Sequence, residues 1–124
     1  MPVPDLTTYT PHRTVTDAAF DGVAVPGLRA EFFHRAEGDR LASAGRYSLG
    51  GRPLLLAWGW TDEPRCRFSA VRDPEGFWYP AVEGCPVVEI LRDGEAPDAP
   101  VTGLALRTPG GQWVTADRTR ARAR

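Results

Sequence analysis

His34 is the residue whose type and position most invite chemistry. From Leu28 to Ala36 the chain alternates. Leu28, Ala30, Phe32, His34 and Ala36 share one face, and Arg29, Glu31, Phe33 and Arg35 share the other. A histidine near the end of an apolar, inward-facing row can serve as general acid or base, because imidazole ordinarily ionises near neutral pH. The same position suits a core histidine whose ring nitrogens meet backbone groups, which is the commoner arrangement. Glu31 and Glu83 are possible partners, although no spacing requires either.

Cys85 precedes Pro86, and a proline at a first helical position would set the thiol at the positive end of a helix, where its pKa falls. The competing reading is a small buried residue without reactivity, the usual state of a free cysteine. Cys66 falls on the inward row of an alternating stretch and reads as structural. Together with His12 and His34, these cysteines are the whole soft-ligand inventory. They show neither C-x-x-C nor H-x-x-x-H spacing, so no metal is expected. No G-x-G-x-x-G, Walker or G-x-S-x-G pattern occurs, and no cofactor is expected.

The densest binding chemistry lies between Leu54 and Pro80. Trp58, Trp60 and Trp78, three of the four tryptophans, stand there with Phe68, Phe77 and Tyr79 and with Arg65, Arg67 and Arg72 interleaved. Tryptophan concentrates in cores, pockets and interfaces, and aromatic side chains dominate the cores of small domains. As a site, Trp58, Trp60, Arg67, Trp78 and Tyr79 would form an aromatic and cationic surface, or the floor of a pocket for a planar ligand. Trp58 and Trp60 fall near a strand end and Trp78 sits between a turn and a proline, where pockets and interfaces tend to form.

The elements that must position these residues read as β. Pro- and Thr-rich residues 1–15 suggest an extended arm, followed by one short helical turn over Asp17–Asp21 that Gly22 would end. Strands are expected over Leu28–Ala36, Leu41–Leu49, Arg52–Trp60, Arg65–Arg72 and Phe77–Tyr79, with turns at Glu37–Arg40, Gly50–Gly51 and Asp73–Gly76. In the third strand Leu54, Leu56, Trp58 and Trp60 should face one way and Leu55, Ala57 and Gly59 the other. Apolar residues on both faces suggest a covered central strand. Cys85–Arg92 is compatible with strand or helix. Val101–Arg107 and Gln112–Ala116 read as a terminal hairpin. The expected fold is mainly β: six to seven antiparallel strands curled into a small barrel or sandwich, with one or two short helices. The expected organisation is an arm over residues 1–15, a single globular domain over 16–117 and an Arg-rich tail over 118–124.

Charge narrows the function classes. The chain carries 15 basic and 16 acidic residues, and every basic one is Arg. Four of those Arg lie in the tail, which leaves 11 against 16 in the body. That acidity disfavours a broad nucleic-acid face and leaves only Arg118–Arg124 for such contacts. Absence of Lys, with abundant Ala, Gly and Pro, suits a GC-rich coding sequence of actinobacterial or phage type. No apolar leader follows Met1 and the longest apolar run is too short to span a bilayer, so no membrane partner and a cytoplasmic place are expected. The leading expectation is a non-enzymatic module that engages a protein partner through the aromatic/Arg surface. The alternatives are a small β-barrel enzyme or carrier for an apolar small molecule, with His34 as acid/base or polar handle, and a single-stranded nucleic-acid binder.

Overall fold

The computed structural model describes residues 3–20, 22–62, 68–72, 78–80, 88–107 and 113–115. These form one 3₁₀ turn, Leu6–Thr8, and eleven strands: β1 (Thr10–Val15), β2 (Ala19–Phe20), β3 (Val23–Ala24), β4 (Leu28–Glu37), β5 (Arg40–Leu49), β6 (Arg52–Trp60), β7 (Phe68–Arg72), β8 (Trp78–Pro80), β9 (Val88–Arg92), β10 (Val101–Arg107) and β11 (Trp113–Thr115). The architecture is mainly β. A six-stranded antiparallel sheet runs in the order β1-β4-β5-β6-β7-β8, a three-stranded sheet in the order β11-β10-β9, and β2 pairs with β3. Among the described residues no sheet closes on itself.

The long central hairpins follow from their turns. Glu37 pairs with Arg40 around Gly38, whose φ of 62° suits the first central position of a II′ turn. Leu49 pairs with Arg52 around Gly50 and Gly51, both at positive φ, as a I′ turn requires. Prolines occupy the places a sheet tolerates. Pro11 and Pro80 lie on the edge strands β1 and β8, and Pro53 lies beside an irregularity in register.

That irregularity corrects the expected facing of Leu54. Tyr47 pairs with Leu55 but Ser48 pairs with Pro53, which leaves Leu54 as the extra residue of a bulge. Leu54 therefore joins Leu55 in one apolar cluster, while Leu56 and Trp58 belong to another. The first cluster brings Leu28, Ala30, Leu49, Leu55 and Val71 of the large sheet together with Leu104 and Leu106 of β10. The second gathers Ala42, Ala44, Leu56, Trp58 and Ala70 under Tyr9, with Val3 and Leu6 packed against it.

The N-terminal segment, expected as an extended arm, holds the 3₁₀ turn Leu6–Thr8, and its residues 10–15 are paired to β4 as an edge strand. Among the described residues of the expected helical turn, 17–20 are not helical. Ala19–Phe20 pairs with Val23–Ala24 around Gly22 at φ 78°. Five residues are too few to offset the cost of helix nucleation. Tertiary contacts decide instead: Asp17 turns at φ 50° and its carboxylate accepts the Gly27 N–H at 2.8 Å, while the Ala18 N–H bonds to the Leu28 carbonyl at 2.9 Å. Val88–Arg92 is a strand, so its β-branched content prevails. Among the described residues no helix is long and apolar enough to cross a membrane.

Candidate functional site: a cleft beside His34

His34 lies half-buried on β4, opposite Thr10 of β1 on one side and Ser43 of β5 on the other. Ser43 is in turn opposite Gly59 of β6. In the next row Phe32 faces Gly45, which faces Ala57. Two neighbouring central strands thus present Ser, Gly and Ala, while the flanking strand presents Phe and His. Cross-strand partners stand about 5 Å apart, so small residues in the middle and large ones at the rim make a depression. The result is a cleft of about 510 Å³, within the size range of small-molecule sites.

The rim is built of rings. Phe32 and Tyr47 meet edge to face at 6.2 Å between centroids, and Phe20 meets Tyr47 in the same way at 5.7 Å. Gly45 leaves room beneath them: a Cβ there would fall 3.2 Å from Tyr47 Cε1 and 3.4 Å from Phe32 Cε1, and the rings would have to give by a few tenths of an ångström. The Arg13 guanidinium sits 5.4 Å from the centre of the Phe32 ring, a cation–π distance.

The polar wall contains a residue that the sequence reading left in the arm. In β1 the register shifts between Pro11 and Arg13, and the extra residue is His12. Its ring meets that of His34 at 5.2 Å between centroids, inclined at 65°. Bulges commonly re-aim a side chain in this way. Thr10, Thr14 and Val15 are β-branched or β-tolerant, and Pro11 is an edge-strand marker. Those residues were the signal that 10–15 pair with the sheet. His12, Arg13 and His34 give the cleft its polar side, and among the described residues no Asp or Glu lines it.

The aromatic residues separate into distinct environments. Trp58 is 2% exposed and belongs to the second core cluster, although it also borders the cleft. Trp60 is half-buried under Arg40, whose guanidinium lies 4.1 Å from the ring centre. Arg40 is held by Asp62 at 2.9 Å, and that hydrogen bond keeps the Asp62 carboxyl below its usual range. Trp78 is half-buried at the rim of the same apolar cluster. Tyr79 belongs to β8 and pairs with Val71, but its side chain lies outside the described residues. Arg67, Cys66, Cys85, Glu83 and residues 118–124 also lie outside them. Trp58 and Trp60 border the cleft, but the pairing sets them on the sheet face opposite His34, with Ala42, Ala44 and Leu56, and Trp78 lies on another part of the sheet. Among the described residues no group of three or more His, Cys, Asp or Glu could hold a metal ion.

On the face that carries Trp58, Arg46 reaches Glu31 with two hydrogen bonds of 3.0 and 3.3 Å. These bonds hold the Glu31 carboxyl below its ordinary range. A depressed folded pKa stabilises above the unfolded value and is lost as pH falls through the folded one. The pair is partly exposed, so Glu31→Gln should lower stability at neutral pH by only about 0.5 kcal/mol. Urea unfolding at several pH values should show that gap closing below about pH 4.

No protein-family model, curated protein or solved structure matches the chain.

Proposed function

We propose that this protein is a small binding module whose cleft takes a flat, apolar molecule bearing one acidic group. The observation that carries the reading is the pairing of His12 with His34 on the wall of a ring-bordered cleft floored by Ser43, Gly45, Ala57 and Gly59. A flat ring fits over the small residues Ser43, Ala57 and Gly59, beside the Phe32–Tyr47 ring pair. The imidazoles and Arg13 supply donors where such a ligand would place its acid, and among the described residues the lining holds no carboxylate to repel it. His34 acts here as a polar handle rather than a catalytic base. In the finer form of this reading, the three-stranded sheet forms the second layer of a sandwich over the Leu28–Leu49 end. The cleft then lies on the uncovered end of the longer strands.

Naphthoate is a suitable probe, with naphthalene methanol as its neutral counterpart, and fluorescence titration measures both. Naphthoate should bind more tightly than the alcohol, and His34→Ala should weaken naphthoate at least tenfold while leaving the alcohol unchanged. Equal affinity for the two probes, or no effect of His34→Ala, contradicts the reading.

A second reading is a protein partner docked on the aromatic/Arg surface. It draws on the partial exposure of Trp60 and Trp78. It requires that Trp60→Ala abolish capture of a defined partner without altering naphthoate binding.

A further inference from the structure

The opposite end of the large sheet carries a second depression, independent of the cleft. Across its floor the register runs from Arg29 on β4 to Ser48 on β5, to Pro53 on β6, and past the Leu54 bulge to Arg72 on β7, which is opposite Trp78 on β8. Ser48 and Pro53 are short, whereas Arg29, Arg72 and Trp78 are long. A trough of about 640 Å³ lies between them. Arg29 and Arg72 stand three strand spacings apart, about 14 Å between backbones. Two facing arginine side chains can close that gap on a single anion.

Charge accounting distinguishes these two arginines from the others nearby. Five ionisable side chains line the trough: Asp17, Arg29, Glu31, Arg46 and Arg72. Asp17 accepts the Gly27 N–H, and Glu31 is held by Arg46. Arg29 adds to the positive field on Glu31 without bonding to it. Among the described residues neither Arg29 nor Arg72 has a hydrogen-bonded or ion-paired partner. The trough therefore combines two uncommitted guanidinium groups with the half-exposed indole of Trp78. Guanidinium forks match phosphate oxygens in pairs, and an indole face stacks on a planar ring.

We propose that this trough binds a nucleoside monophosphate, with the phosphate between Arg29 and Arg72 and the base against Trp78. A nucleoside monophosphate joins the planar and anionic groups that the trough offers within one small molecule. Glu31 and Asp17, the acids that line the trough among the described residues, are engaged in their own bonds.

Calorimetric titration of the full chain with adenosine monophosphate, adenosine and inorganic phosphate tests the proposal. Adenosine monophosphate should bind at least tenfold more tightly than either fragment. Arg72→Gln and Arg29→Gln should each weaken it tenfold or more, and Trp78→Leu should bring its affinity down to that of inorganic phosphate. Arg29 is exposed, so Arg29→Gln remains decisive if Arg72→Gln lowers the melting temperature. Ser43→Phe, which alters only the cleft, should leave the affinity unchanged. Binding no tighter than inorganic phosphate, indifference to both arginine variants, or loss of binding in Ser43→Phe each overturn the proposal.

Discussion

Replacing Trp58 with alanine should destabilise the protein by about 3–5 kcal/mol, the usual cost of truncating a large buried aromatic side chain. Among the described residues Trp58 is the largest fully buried side chain, and it belongs to the second apolar cluster. Its neighbours there include Ala42, Ala44 and Ala70, which are too small to collapse into the space that its removal would open. Tyr9, Val3 and Leu6 reach the cluster from the N-terminal segment, so the loss should also loosen residues 3–9. Native domains are stable by only about 5–15 kcal/mol, so this single change consumes much of the margin. Urea denaturation provides the measurement, and Trp60→Ala is the comparison. Trp60 keeps part of its surface in water, so its truncation should cost clearly less than that of Trp58.

Filling the cleft should remove ligand binding and leave the fold intact. Ser43 lies half-buried on β5, between His34 and Gly59, on the floor of the cleft. A phenyl ring in its place would project into open space rather than into a packed core. The strand would gain a residue of higher β propensity. Ser43→Phe should therefore reduce naphthoate affinity by about a hundredfold or more, equivalent to about 2.7 kcal/mol, with an unchanged or slightly raised melting temperature. Retention of binding would place the ligand elsewhere on the sheet.

Much of the fold was legible because its signals are local. The β4–β5–β6 meander announced itself through period-two alternation and through turns built on Gly38 and on Gly50–Gly51. What the sequence concealed depends on contacts between distant segments. Leu54 changes face because β6 carries one residue more than β5 at that point, and a bulge leaves no mark in a single strand's pattern. Residues 17–21 resemble a capped helical turn until the Asp17 carboxylate is seen on the Gly27 N–H. Trp58 and Trp60 share a face as their spacing requires, yet only the N-terminal segment packed over the first makes it core.

The candidate site was half visible. His34 was evident as a polar residue in an apolar row. His12 falls in the segment expected as an extended arm, and only the irregular pairing of β1 with β4 brings the two rings together. The floor of the cleft was readable in principle. Ser43, Gly45, Ala57 and Gly59 are small residues that pack poorly on a pleated surface, and in the sheet their small size makes the cleft.

An amide NMR titration with naphthoate tests the central claim most directly. The account predicts saturable shifts confined to β1, β4, β5 and β6 around His12, His34, Ser43, Gly45 and Gly59, with both imidazole rings perturbed. Shifts centred on Arg29, Ser48, Arg72 and Trp78, or no saturable shifts at the His12–His34 pair, would contradict it.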